Sequence, residues 1–113
     1  MTVSFDSIGQ ECVTFQCSSG VSAGTLCKLS LNGYVVPCGD GDPLHGVAMK
    51  QAAGLASLAI RGFVTLPYSG TAPTLGYCAL AAADANTVKV LEGAREYLVA
   101  AVNSTDSTVT FLL

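Results

Sequence analysis

The sequence predicts an all-β fold: a single compact barrel-like domain of short antiparallel strands joined by hairpins. Three observations lead to this prediction. Apolar and polar residues alternate in several segments, turn-forming residues recur at short intervals between them, and a chain of 113 residues suits one domain. We expect residues 11–113 to form the barrel and residues 1–10 to be a separate N-terminal segment.

The first half of the chain supplies the clearest hairpin. Strict alternation occurs over residues 13–17 and again over 27–31, and Asn32-Gly33 follows directly. Both of these residues tolerate the positive φ that a type I′ turn requires, so strands 25–31 and 34–38 are predicted to form a tight hairpin. Pro37 lacks an amide hydrogen, which places the second strand at a sheet edge or puts this residue near the strand's end.

Two alanine-rich segments are ambiguous. Residues 49–56 have helical spacing, but Gly54 costs a helix about 1 kcal/mol, and the apolar run 60–66 favours a second hairpin that turns near Ala53-Gly54. Residues 79–85 are compatible with one short helical turn between strands. Residues 87–90 and 108–111 alternate again. A polar loop joins the apolar runs 96–102 and 108–113, which are predicted to form a C-terminal hairpin.

Composition excludes several functions. Only 12% of the residues are charged, about half the usual share, which favours a surface that is partly covered in the working state. The net charge is −3 and the five basic residues are scattered, so nucleic-acid binding is disfavoured. No apolar run approaches the length of a membrane span. Residues 1–6 lack the features of a signal peptide, so we expect synthesis in a cytoplasm that keeps thiols reduced.

The sequence offers no catalytic constellation, so no enzymatic activity and no cofactor are expected. The single histidine, His45, follows an acidic turn, and no serine nucleophile occupies a Gly-x-Ser-x-Gly pattern. The tripeptide Ala48-Met49-Lys50 is similar to the modified-lysine site of biotinyl carrier domains. However, Gln51 replaces the methionine that should follow, and Lys50 is expected along a strand rather than at a hairpin tip.

No metal site is predicted either. The acidic turn at 39–42 is typical of tight turns, and a calcium loop would need a glutamate where Gln51 stands. A zinc site is the alternative use of the cysteines, but their spacing is wrong for ligand pairs and His45 has no cysteine beside it. The five cysteines are therefore interpreted as small apolar strand residues: Cys12, Cys17, Cys27, Cys38 and Cys78.

Six segments from residue 20 onward have an order and spacing found in a known family. They are residues 20–25, 32–36, 40–48, 60–70 and 95–99, followed by the tail 108–113. By these segments the chain resembles a family of small capsid decoration proteins, the head-stabilising proteins of tailed bacteriophages with HK97-type shells. The resemblance covers roughly four-fifths of the chain, and no single motif is diagnostic.

The resemblance implies a structural protein of the virion that binds the exterior of the capsid, contacts the major capsid protein and assembles there as a homotrimer. In such relatives an N-terminal segment can order on the shell by adding a strand. Thr2, Val3, Ser4 and Phe5 alternate polar and apolar residues and are the candidate capsid-docking residues. The alternative for these four residues is that they are simply the first strand of the barrel.

A second function from a different class remains open. A small β-barrel can also be a binding module for carbohydrate or peptide. The chain has no tryptophan and only 7% aromatic residues, whereas sugar platforms usually need exposed rings.

Overall fold

Ten β-strands and no helix make up residues 10–113, the part of the chain that the computed structural model describes. The all-β prediction is confirmed, but the predicted helical turn at 79–85 is wrong. Its first half continues β7, where Ala81 and Ala82 are buried and paired with the neighbouring strand. The strands are β1 Glu11–Cys17, β2 Leu26–Leu31, β3 Tyr34–Pro37, β4 Gly46–Ala52, β5 Leu55–Arg61, β6 Phe63–Pro67, β7 Gly76–Ala82, β8 Val88–Val90, β9 Glu96–Asn103 and β10 Thr108–Leu112.

The first five strands close into a barrel in the order β1-β3-β2-β4-β5, with β5 pairing back to β1. The β1–β3 contact is parallel and the other contacts are antiparallel. So few strands leave a narrow interior, which small side chains fill. The buried interior cluster consists of Cys17, Val21, Cys27, Val35, Ala48, Ala56 and Leu58.

The last five strands form a second sheet in the order β6-β10-β9-β7-β8, paired antiparallel throughout. An isolated parallel bridge joins Tyr68 to Val88, so the end of β6 meets the opposite edge strand and the sheet curls toward closure. Gly62 marks the passage from the barrel to this sheet. Its φ is 111°, and a Cβ there would lie 2.7 Å from Gln10 Cα, so the bend requires glycine.

A larger core joins the barrel to the second sheet. Leu26 and Val47 belong to this core, while their neighbours Cys27 and Ala48 face the barrel interior. Strands β2 and β4 are therefore buried on both faces where they begin, and their sequences are continuously apolar there. Phe111, which is fully buried, forms an edge contact with a tyrosine of β9 at 5.2 Å between ring centroids.

The hairpins fall where the sequence places them, but one turn type is wrong. Strands β2 and β3 meet at Asn32-Gly33, yet only Gly33 has a positive φ, 68°, and the register shifts beside the turn. This turn is therefore not type I′. Positive φ at both central residues occurs instead at Ala53 (54°) and Gly54 (77°), in the predicted second hairpin between β4 and β5. The C-terminal hairpin of β9 and β10 is also confirmed.

Candidate docking surface

A row of apolar side chains crosses four strands of the second sheet. Phe63 lies opposite Leu112, Leu112 opposite Leu98, and Leu98 opposite Tyr77. Residues paired directly across strands point to the same face, so these four form one continuous row, here called the sheet row. Tyr77 is 71% exposed, and Leu75 next to its strand is 69% exposed.

The sheet row lies on the face turned away from the core. The adjacent residues of the same strands point inward, because Val64, Val99 and Phe111 are buried in the large core. An antiparallel sheet with one face on the core usually presents polar residues on the other. Here the strands are apolar on both faces, which is typical of a surface that contacts a partner.

The rows on either side of the sheet row add little charge. On one side Thr65 and Thr110 pair, with 2.8 Å between their hydroxyl oxygens. Ala101 continues this row on β9, while on the other side Ala79 pairs with Glu96. Glu96 is the single charged residue of these two flanking rows, and the two rows together with the sheet row are called the outer face.

A second uncharged row encircles part of the barrel. Cross-strand pairing links Ala52 to Leu55, Leu55 to Gln16, Gln16 to Tyr34 and Tyr34 to Leu31. The next residues along β1 and β3 face the interior, so this barrel row faces outward. Leu31 is 70% exposed and Leu55 is 47% exposed. Both rows depend on the register between strands that are distant in sequence, and sequence reasoning missed them for that reason.

His45 is held by a backbone contact rather than by a catalytic partner. Its Nδ1 accepts a hydrogen bond from the Leu29 amide at 2.9 Å, and the side chain is exposed. The neighbouring carboxylates of Asp40 and Asp42 contact lysines instead. His45 therefore forms no pair with either aspartate of the turn.

The acidic turn at 39–42 is organised by its own hydrogen bonds. Asp42 Oδ2 accepts from the Gly39 amide at 2.7 Å and from Lys28 Nζ at 2.6 Å. The hydrogen bond from Lys28 holds the pKa of Asp42 below its ordinary value, and Asp42 in turn raises the pKa of Lys28. Lys89 pairs with Asp40. Among residues 10–113 no cluster of three metal-ligating side chains is present.

Lys50 lies within β4, opposite Ser57, and the hairpin tip is at Ala53-Gly54. The predicted strand position of this lysine is confirmed. Presentation at a tip, which a biotinyl carrier requires, is not found.

Four of the five cysteines are buried, in agreement with their interpretation as apolar strand residues, whereas Cys12 is exposed. Burial raises the pKa of the Cys27 thiol to about 11 and that of the Cys38 thiol to about 12. These two thiols are therefore protonated and poorly nucleophilic at neutral pH.

The candidate docking residues Thr2, Val3, Ser4 and Phe5 lie outside the described residues. The described chain begins at Gln10, whose Nε2 donates to the Phe63 carbonyl oxygen at 3.4 Å. It therefore begins beside the end of the sheet row.

Comparison with known proteins gives no relative: no protein family, curated protein or solved structure matches this chain. Within residues 10–113, no helix is long and apolar enough to cross a membrane.

Proposed function

We propose that this chain is a structural protein that binds the outer surface of a tailed-phage capsid and stabilises the shell without catalysis. The outer face of the second sheet is the docking surface in this proposal. The observation that carries it is the sheet row, four apolar side chains in register across four strands on the face away from the core.

The choice of a capsid as the partner comes from the order of the sequence segments. Residues 32–36 span the β2–β3 turn and β3, residues 60–70 include β6, and residues 108–113 include β10. Two of these segments, β6 and β10, contribute Phe63 and Leu112 to the sheet row. A third segment, residues 95–99, contributes Leu98, so the segments that resemble capsid decoration proteins hold three of the four residues of the sheet row.

The chemistry of the described residues fits a binding role. His45 bonds to a backbone amide, the acidic turn is neutralised by two lysines, and the thiols of Cys27 and Cys38 are protonated. No arrangement among residues 10–113 joins a nucleophile to a base. What distinguishes the molecule is a surface that is poor in charge, since only 12% of its residues are charged.

Modest contacts suffice for such a function. A standard protein–protein contact buries about 1,600 Å² in total, and several linked copies gain affinity through effective concentration. Each bound copy stabilises the intact shell by mass action because it binds that form alone. In the homotrimer of this proposal, the barrel row supplies contacts between neighbouring copies.

The N-terminal segment is part of the same proposal. The described chain begins at Gln10, whose Nε2 donates to the Phe63 carbonyl oxygen at one end of the sheet row. In the proposal, Val3 and Phe5 contact the shell together with the sheet row.

Co-sedimentation tests the docking surface. The chain is mixed with expanded capsid shells of the HK97 type, and the amount of pelleted protein is measured against its free concentration. Tyr77→Glu should weaken binding at least about tenfold, because a carboxylate buried without a partner is costly. Val13→Glu changes a side chain of β1 that is 41% exposed and belongs to neither row, and it should leave binding unchanged.

Two outcomes contradict the proposal: wild-type protein that stays in the supernatant, and a folded Tyr77→Glu variant that binds like wild type. Circular dichroism and thermal unfolding establish that each variant is folded.

The N-terminal segment is tested in the full chain. The double variant Val3→Asp/Phe5→Asp should bind shells more weakly than Thr2→Asp/Ser4→Asp, which adds the same charge at the alternate positions. Equal binding by the two double variants removes the docking role of Val3 and Phe5.

A further inference from the structure

A cleft of about 540 Å³ lies between the turn that precedes β4 and the turn that precedes β9. This volume falls within the range of about 300–1,000 Å³ that is usual for small-molecule sites. The walls are mainly apolar, and four side chains bring polar groups to them: His45, Glu92, Arg95 and Tyr97. None of these four belongs to the outer face or the barrel row.

The floor of the cleft is fixed by Tyr97. Its ring is buried, its hydroxyl donates to the Leu44 carbonyl oxygen at 3.3 Å, and its ring meets Phe111 in an edge contact. The Arg95 guanidinium lies over this ring, with Cζ 4.8 Å from the centroid. A guanidinium stacked on a fixed ring keeps its N–H groups at its edge available for hydrogen bonds.

Arg95 has no carboxylate partner within the described residues. The two ion pairs found there join Lys28 to Asp42 and Lys89 to Asp40, so neither involves this arginine. A guanidinium that is stacked on a ring and has no carboxylate partner, beside apolar walls, suits a planar carboxylate, which it can bind through two parallel hydrogen bonds.

The other polar groups limit the charge of the ligand. His45 Nδ1 accepts from the Leu29 amide, so the neutral ring carries its proton on Nε2 and can serve as a second donor. Glu92 places a negative charge on the same cleft. This carboxylate disfavours dianions such as phosphate and tolerates a ligand with one negative charge or with an added ammonium group.

We infer that this cleft binds a single carboxylate carried on an apolar body. An apolar free amino acid and the C-terminal residue of a peptide share this chemistry. The inference is independent of the capsid proposal, because it uses different residues and a different kind of ligand.

Titrations followed by ¹H–¹⁵N NMR test the inference with three probes. N-acetyl-leucine carries the carboxylate, N-acetyl-leucinamide has the same apolar body without the charge, and leucine adds an ammonium group. For ligands of this size we expect a Kd on the order of 1 mM for the carboxylates. The amide should bind about tenfold more weakly, and the shifts should centre on Gly41, Gly93 and Ala94.

Variants of Arg95 test whether its guanidinium binds the carboxylate. Arg95→Gln should bind N-acetyl-leucine and N-acetyl-leucinamide with about equal Kd values, so that the ratio of the two is about one. Arg95→Lys should retain part of the preference for the carboxylate. Arg61→Gln is the matched control, since Arg61 is an exposed arginine outside the cleft, and it should leave the ratio unchanged.

The comparison of leucine with N-acetyl-leucine identifies the source of the ligand. Tighter binding of leucine, lost in Glu92→Gln, indicates a free amino acid, and tighter binding of N-acetyl-leucine indicates a peptide terminus. Either result supports the inference. Three results overturn it: no saturable shifts at the cleft, equal affinity for carboxylate and amide in the wild type, or an unchanged ratio in folded Arg95→Gln.

Discussion

At the scale of single residues, Ala53 occupies a conformation that suits few side chains. Its φ is 54°, in the left-handed region, and Gly54 beside it has a φ of 77°. For a residue other than glycine, asparagine or aspartate, this conformation costs roughly 1–2 kcal/mol. The β4–β5 turn thus has the geometry of a type I′ turn without the asparagine that this turn prefers.

Ala53→Asn should therefore stabilise the protein by about 0.5–1 kcal/mol, because asparagine accepts the left-handed region more readily. Urea unfolding measures this as a higher midpoint with an unchanged slope. Ala52→Asn, one residue earlier and within β4, is the control and should give no gain. An unchanged midpoint for Ala53→Asn would contradict the account of this turn.

The buried thiols give the stability a dependence on alkaline pH. The pKa values of Cys27 and Cys38 rise from 9.0 to about 11 and about 12, mainly because burial disfavours the thiolate. Above pH 9 the unfolded chain releases these protons while the folded chain keeps them, so the free energy of unfolding falls as pH rises. The loss is about 1.4 kcal/mol per pH unit for each thiol until the folded pKa is reached.

Urea unfolding at pH 7, 8, 9 and 10 tests this expectation. The free energy of unfolding should be nearly constant up to about pH 8 and should fall between pH 9 and 10. Cys12→Ser should keep this decline, since Cys12 is exposed, and Cys27→Ala should reduce it. An equal free energy of unfolding at pH 8 and pH 10 would contradict the burial of these two thiols.

At the scale of strands, the contact between β4 and β5 depends on a glycine. A Cβ at Gly46 would lie 2.7 Å from Leu58 Cδ2 and 3.1 Å from the Ala59 carbonyl oxygen. Leu58 and Ala59 are both buried, so neither can move away freely. The close approach lets β4 begin against β5 with both of its faces covered.

Gly46→Ala should destabilise the fold by about 1–3 kcal/mol, the usual cost of overpacking. Chemical unfolding compares it with Gly39→Ala, where the new Cβ would meet its nearest atom, Asp42 Oδ2, at 3.4 Å. Similar midpoints for the two variants would show that the packing at Gly46 is looser than described.

Local sequence signals predict the hairpins well and the sheets poorly. Asn32-Gly33, Ala53-Gly54 and the polar loop before β10 each identify a hairpin, because a short turn and alternation act between neighbours in the chain. The parallel contact of β1 with β3 and the division into two sheets involve strands without a shared turn. The alanines of 79–85 were misleading because burial in the core overrides their helical propensity.

At the scale of the whole molecule, the same limit applies to the candidate sites. Low charge predicts that some surface is covered, but not which one. The sheet row appears only when four strands are placed in register, and the cleft forms only when residues near 45 meet residues near 95. A leucine within an apolar strand carries no local sign that it faces outward.

The molecule as a whole combines two closely packed sheets with an outer face that is unusually poor in charge. The core holds the barrel against the inner face of the second sheet, and the opposite face of β6, β10, β9 and β7 points away from that core. Our proposal is that a capsid shell binds this outer face.

Cryo-electron microscopy of shells saturated with the protein tests that claim most directly. The account predicts density for the chain on the shell exterior, with Tyr77 and Leu98 in contact with the major capsid protein. Shells without such density, or chains bound with the outer face turned to solvent, would contradict it.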